Sequence, residues 1–370
     1  MRTAQCLAEA LCHKKGKFRS QLYVDDPALV LRGSKKMITR VLDAVLTWWQ
    51  ILGLPLSWTK GAFYSSTEPH IWIGVSFTPQ KDGLVSMEIP PAYLKELDGL
   101  LSPLAEGTGS IPLKEAERIV GKVGRLSQVI KEARPFTGAL HAAFSGARTA
   151  DRKGQREAKP GQAACRRFHI AASWLRMMIS GPENEILPLR RLVSHLPYVP
   201  ACLDDPVIQC DASPWGAGAT LRVQGRIVEF WMVPWRTKDV VHLSVVTGVS
   251  KHMTFWETLA TLLCLIIWDS HAKKKVLILG DNTGSLQNTI DMKGTGPLLA
   301  VARELAWRKV RQGWSFDVAH IPTECNDTPD ALSRQFGPDP PPFPTAALKG
   351  AIRRHAPDVK QLWKINLKTD

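Results

Sequence analysis

The sequence predicts an α/β chain whose C-terminal half folds as a mixed five-stranded sheet with flanking helices. Three observations predict it. First, apolar strand-like runs follow one another at Val207–Cys210, Ala217–Val223 and Ile227–Val233. Second, the pattern then alternates: a helix near Thr254–Ser270, a strand at Lys275–Gly280, a helix near Pro297–Gln312 and a strand at Trp314–His320. Successive strands followed by helix–strand alternation fit a mixed sheet with helices on its faces. Third, acidic residues stand where such strands end, at Asp211 and Asp281.

The N-terminal part reads differently. QLYVDDPALVLRG (21–33) is two short apolar runs around an acidic pair, which predicts a β-hairpin with Asp25 and Asp26 at its turn. Met37, Val41, Leu42, Val45, Leu46 and Trp49 recur at helical spacing, and Gly53 marks the stop of a helix over 36–52. Strand-like runs follow at Gly61–Tyr64, His70–Phe77 and Gly83–Ile89. From Ala92 to about Phe144 the pattern is helical, including an amphipathic segment from Leu113 to Lys131. Residues 145–163 are polar, basic and nearly free of large apolar side chains, which predicts an exposed linker. Helical character returns over Ala164–Ile179. These shifts divide the chain at 1–90, 91–150, 151–202, 203–336 and 337–370. The last segment opens on GPDPPPFP, turns basic, and is expected to be loosely ordered.

The 370 residues carry 48 Lys and Arg against 34 Asp and Glu, a net charge of +14. A surplus of that size favours a polyanionic partner, and nucleic acid is preferred over a membrane face. The most apolar stretch, Leu259 to Trp268, falls far short of the ~20 residues a membrane span needs, and the N-terminus lacks the pattern of a signal peptide. The seven cysteines form no CxxC pair, which argues against a zinc site and for reduced thiols. The expectation is an intracellular protein, nuclear or cytoplasmic and not secreted.

Four carboxylates carry the chemistry. Asp211 ends the strand VIQCD, and Asp281 ends VLILGD. Glu257 lies inside the mostly apolar helix TFWETLATLLCLIIW, where an unpaired carboxylate is costly. Asp330 follows the loop IPTECNDTP. Taken singly, Asp211 and Asp281 are accounted for as turn or cap residues, Asp330 as a helix-start acid and Glu257 as an exposed helix residue. Taken together, they can converge at one sheet edge, where they would repel one another unless cations neutralise them. Hard oxygen ligands of this kind suit Mg2+ or Mn2+. Two such ions ~3.5–4 Å apart would activate a water and stabilise the leaving oxygen of a phosphodiester.

The segments IQCDASPWGAGATL, WETLA, LGDNTGSLQNT and HIPTECNDTPDALSR, in that order, resemble the four acidic motifs of the ribonuclease H domain in retroelement reverse transcriptases. In the last segment His320, Asn326 and Asp330 match the family's His, Asn and Asp spacing, followed by the LSR ending of retrotransposon versions. The resemblance implies that Asp211, Glu257, Asp281 and Asp330 hold two metal ions. It also implies that His320 sits on a loop beside them and assists proton transfer or product release. Ser213 and Asn282, next to ligands, are candidates for contacts to the hybrid backbone, whereas Asn326 is expected to order its loop. Two departures stand out: Thr323 replaces the usual loop glycine, and Pro329 replaces alanine before the last Asp. Pro329 would fix the start of the final helix.

Upstream, Tyr23-Val24-Asp25-Asp26 resembles the YxDD motif of reverse transcriptases, LGLPLSWTKG with Lys60 is similar to the next palm motif, and IWIGVSF is similar to the primer-grip hairpin. IVGKVGRLSQVIKEARPFTGALHAAF is similar to the thumb and connection helices. The resemblance is to an LTR- or DIRS-like retrotransposon polyprotein, truncated at its N-terminus. It implies a partial palm, a helical thumb and a ribonuclease H domain. A polymerase of this family needs a third aspartate from a strand well upstream. Residues 1–24 contain no Asp, so the chain alone is expected not to extend primers. The expected activity is cleavage of the RNA strand of RNA–DNA hybrids. The alternatives are a full polymerase completed by an upstream segment, or a non-catalytic nucleic-acid-binding remnant.

Basic residues for phosphate contacts are sought in the 152–167 stretch, with Arg166 and Arg167, and at Lys273–Lys275, Arg308, Lys309 and Arg311. Trp231 and Trp235 are read as core residues.

Overall fold

A computed structural model describes residues 18–359, apart from 24–25, 55–56, 58, 60, 66–67, 81–83, 156, 181–184, 194–204 and 241–242, together with residue 362. It divides into two compact units, one formed by residues up to Pro90 with Arg190–Ser194, the other by the remainder.

In the first unit, β1 (Phe18–Tyr23) and β2 (Asp26–Leu31) form an antiparallel hairpin in which Tyr23 faces Asp26. Helix α1 (Lys35–Ile51) buries Val45 and Trp49 against Leu29, Leu31, Val41 and Leu46. It ends as the glycine signal predicts, with Gly53 at φ +67°. The run at 70–77 is not one strand. Gly74, at φ +73°, and Ile73, at φ +46°, reverse the chain between β3 (His70–Trp72) and β4 (Val75–Pro79), so that Trp72 pairs with Val75. β5 (Val85–Glu88) continues this sheet, whose far edge strand comes from Arg190–Val193. The strand expected at 61–64 is absent: those residues are irregular and exposed.

The second unit begins with helices that pack in pairs. Helix α2 (Pro91–Glu106) buries Leu94, Leu97, Leu101 and Leu104, a 3–4–3 spacing that lines one helix face. Helix α3 (Leu113–Val129) buries Ile119, Val120, Val123 and Leu126. Helix α4 (Arg134–Arg152) runs through the first part of the segment expected to be a linker, because Ala147 still supplies a buried contact among polar neighbours. The rest of that segment returns to the layer. β6 (Ser110–Pro112) pairs with β7 (Gln162–Ala164), and the Gly161 N–H donates to Asp151 at 3.1 Å. Helix α5 (His169–Ile179) packs on α2.

β8 (Arg190–Val193) returns to the first unit's sheet, and the mixed sheet of the second unit follows. β9 (Val207–Ala212), β10 (Gly216–Val223) and β11 (Arg226–Pro234) form an antiparallel meander. Helix α6 (Met253–Ile267) is buried from Phe255 to Leu265, which explains its nearly continuous apolar sequence. β12 (Val276–Gly280) pairs in parallel with β9, on the side away from β10. Helix α7 (Thr283–Asp291), helix α8 (Pro297–Gln312), β13 (Phe316–His320) and helix α9 (Asp327–Ser333) complete the chain path. With β14 (Ile352–Arg353) at the edge, the strand order among the described residues is β13-β12-β9-β10-β11-β14, which makes six strands where five were expected.

The sixth strand, β14 (Ile352–Arg353), comes from the tail expected to be loose. Leu348 is the reason: it is buried with Phe230 and Leu332 and brings the segment back onto β11. Trp231 is fully buried and Trp235 stacks on Trp256 at 4.8 Å, so both are core residues. No helix among the described residues is long and apolar enough to cross a membrane.

Candidate active site

The sheet brings three of the predicted carboxylates together. Asp211 lies near the end of β9, with a side chain 4% exposed; Glu257 projects from α6 and is 5% exposed; Asp281 directly follows β12. Because β9 and β12 are parallel neighbours, their C-terminal ends lie side by side, and α6 presents Glu257 to the same edge. Oxygens of the three carboxylates all lie within 4.8 Å of one another.

Asp330 stands outside this group. Its partly exposed carboxylate pairs with Arg334 at 2.8 Å, one helical turn on, just past the end of α9. It is nonetheless near enough to act electrostatically on Asp211. Among the described residues, Asp211, Glu257 and Asp281 have no ion-pair partner of their own.

The electrostatics follow from crowding in a dry site. Burial pushes the Asp211 carboxyl up, the charges of Asp330 and Asp281 push it further, and a hydrogen bond from Ser333 and the Arg334 charge oppose them; it comes to about 7. Burial likewise holds Glu257 well above the carboxylate range, helped by Asp211, although the Ala212 N–H donates to it. Burial raises Asp330 as well, against the pull of Arg334. An all-oxygen donor set that resists ionisation by itself fits hard divalent cations, whose charge would offset the mutual repulsion.

The neighbouring residues take distinct places. His320 ends β13, exposed and opposite Gly280, the residue before Asp281. Asn326 is fully buried and donates through Nδ2 to the Cys210 carbonyl at 3.1 Å, which ties its loop to β9. Ser213 does not face a ligand, because its buried hydroxyl donates to the Ser333 carbonyl at 2.8 Å and accepts the N–H groups of Trp215 and Gly216. The short β9–β10 turn needs those bonds, which is why the hydroxyl points inward. Asn282 caps α7, its Oδ1 accepting from the Ser285 N–H at 2.9 Å. Arg166 and Arg167 both pair with Glu157. Lys60 and Asp25 lie outside the described residues; Asp26 opens β2, with its side chain likewise outside them.

Two residues went unassigned in the sequence. Ser333 donates to Asp211 Oδ2 at 2.5 Å, and Arg334 pairs with Asp330. Their positions three and four residues after Asp330, on one helix face, are the signal that could have found them.

No protein-family model matches the sequence, and no curated protein matches it. Among solved structures, the chain is similar to ribonuclease H1 from the halophilic archaeon Halobacterium salinarum, at 16% identity and a TM-score of 0.27, over 35% of this chain and 93% of that one. It is also similar to the foamy viral protease-reverse transcriptase in complex with RNA/DNA hybrid, at 12% identity and a TM-score of 0.32, over 86% of this chain and 37% of that one. The same viral protein in complex with double-stranded DNA gives 12% identity and a TM-score of 0.31, over 87% of this chain and 58% of that one. The chain therefore spans between 37% and 58% of those viral chains. Likeness this distant assigns no role to any residue here.

Proposed function

We propose that this protein is a ribonuclease H-type endonuclease that hydrolyses the RNA strand of RNA–DNA hybrids. The observation that carries the reading is the convergence of Asp211, Glu257 and Asp281 within 4.8 Å at one buried sheet edge. Asp211, Glu257 and Asp281, with Asp330 at the rim, would hold two divalent ions, Mg2+ or Mn2+. When bound, such ions supply activation of water and charge stabilisation at the leaving oxygen of a phosphodiester.

The chain's own residues prepare the site. Ser333 donates to Asp211, and the buried floor of the site would exclude bulk water. His320, exposed at the end of β13, would move a proton to or from solvent. The products would be a 3′-hydroxyl and a 5′-phosphate, as the resemblance implies. The net charge of +14 supports a nucleic-acid partner. We read the N-terminal unit as related to a reverse-transcriptase palm, on the YVDD hairpin at 23–26 and the hairpin at 70–79.

The test is cleavage of a labelled RNA–DNA hybrid, against duplex RNA, in Mg2+, by wild type and Asp211→Asn. Hybrid-specific cutting that disappears in the variant supports the assignment. Equal cutting by both, or none by wild type, overturns it.

A further inference from the structure

Helix α9 brings more than Asp330 to the carboxylate edge. Ser333 lies three residues later and is fully buried. Its single hydroxyl proton has two acceptors in reach, Asp211 Oδ2 at 2.5 Å and the Asp330 carbonyl at 3.0 Å, and the shorter, charge-assisted bond is the stronger. The bond is returned from the other side, because the Ser213 hydroxyl donates to the Ser333 carbonyl at 2.8 Å. β9 and α9 are thus clasped by two hydroxyls running in opposite directions. The seat beneath is backbone: Gly218, opposite Asp211 in the ladder, would place a Cβ 2.3 Å from Leu332 Cβ and 3.0 Å from the Ser333 nitrogen. Only glycine lets Ser333 approach Asp211 this closely.

We propose that Ser333 is a positioning residue for the ion site: it fixes the plane of the Asp211 carboxylate so that its oxygens meet those of Glu257 and Asp281 in one coordination sphere. The assignment rests on the nuclease reading above. The serine is sealed from solvent, so no water replaces the lost donor when the hydroxyl is removed. A free Asp211 carboxylate would then rotate, and the ions would lose a preorganised ligand. Ser333 itself touches neither ion nor substrate in this scheme.

The experiment compares wild type, Ser333→Ala, Ser333→Cys and Asp211→Asn by calorimetric titration with Mn2+, alongside the Mg2+ dependence of hybrid cleavage. Ser333→Ala should bind Mn2+ about tenfold or more weakly. It should raise the Mg2+ concentration for half-maximal cleavage, while kcat at saturating Mg2+ falls much less. Ser333→Cys keeps a side-chain donor, weaker and slightly larger than the hydroxyl, and should fall between wild type and Ser333→Ala, which preserves the test if the alanine variant misfolds. Wild-type Mn2+ affinity in a folded Ser333→Ala or Ser333→Cys, whatever its melting temperature, overturns the proposal. If wild type binds Mn2+ and cuts hybrid while the serine variants match it, only this proposal fails. If wild type does neither, the nuclease reading fails first and takes this one with it.

Discussion

Arg134, at the start of α4, donates through Nη1 to both the carboxylate (2.8 Å) and the backbone carbonyl (3.3 Å) of Asp291, the last residue of α7. Lys131 reaches the same carboxylate oxygen at 3.2 Å. Since α7 starts just after Asp281, this junction ties the segment following a proposed ligand to the helical layer. Lys309 pairs with Glu132 at 2.9 Å, and Trp174 meets Trp307 edge-on at 5.8 Å, so the layer and the sheet are joined along α8 as well.

Asp291→Asn should therefore destabilise the protein by roughly 1–2 kcal/mol at pH 7, a figure already discounted for a partly solvated group. Burial alone would raise the Asp291 carboxyl. Hydrogen bonds from Gln287, Lys131 and Arg134, and the Lys131 charge, outweigh burial and bring the carboxyl down to about 2. A depressed carboxylate contributes stability above its ordinary value of 3.8, and that contribution is lost as pH falls toward 2. The difference between wild type and variant in urea should stay constant from pH 7 to 5 and shrink below pH 4. A difference that is flat across that whole range would refute the junction's electrostatic role.

Much of this architecture was legible because apolar runs ended in acids. VIQCD and VLILGD announce two strands whose final carboxylates must sit at a sheet end, and parallel pairing then places them side by side. Glu257 was legible because its helix is apolar on all sides, so its carboxylate had to be buried and in need of a partner. Helix α7 was missed, since TGSLQNTID is mostly polar and depends on the Asn282 cap. The described part of the tail was misread because proline-rich composition hides anchors such as Leu348, whose value exists only once β11 and α9 are in place. The i+3 spacing puts Ser333 on the face of Asp330, but the inward turn of Ser213 and the closeness of the clasp depend on how α9 lies over Gly218, which the local sequence does not encode.

Chelation and pH should interact in a definite direction. With its folded carboxyl at about 7 against an ordinary 3.8, Asp211 is protonated in both states below pH 4 and contributes nothing there. Between pH 4 and 7 the unfolded chain releases a proton that the folded chain retains. Stability of the ion-free protein should fall across that window, by an amount on the order of a few kcal/mol, and Glu257, also raised by burial, acts in the same direction. Divalent ions bind the ionised form, so the rise in melting temperature on adding Mg2+ or Mn2+ should be larger at pH 8 than at pH 5. Melting curves in EDTA and in Mn2+ at the two pH values check this, and a larger shift at pH 5 would contradict the assignment.

Leu348→Ala tests the tail. The side chain fills a cluster with Phe230 and Leu332, and the segment beyond it is held by the Arg354 N–H on the Phe230 carbonyl at 2.7 Å and by the Arg354–Glu229 pair. Removing it should cost about 2–4 kcal/mol, within the usual range for a buried leucine. Because Leu332 belongs to α9, amide exchange across 327–333 should quicken more than exchange in α2 or α3. A variant with unchanged urea midpoint and unchanged exchange in α9 would show that the tail is a passenger.

Gly218→Ala probes the closest approach beneath the site. The added Cβ would lie 2.3 Å from Leu332 Cβ and 3.0 Å from both the Leu332 carbonyl carbon and the Ser333 nitrogen. Two of those three atoms are backbone, so the contact cannot be relieved by a rotamer change. Relief requires α9 to rise off β10, at a cost of about 1–3 kcal/mol for an overpacked core. The same movement stretches the 2.5 Å bond between Ser333 and Asp211 and shifts Asp330 outward. Gly218→Ala should therefore lose Mn2+ affinity along with stability, whereas Asp291→Asn should lose stability alone. Calorimetry and urea denaturation on the two variants separate these outcomes, and full Mn2+ affinity in Gly218→Ala would mean that α9 does not hold Asp211 in place.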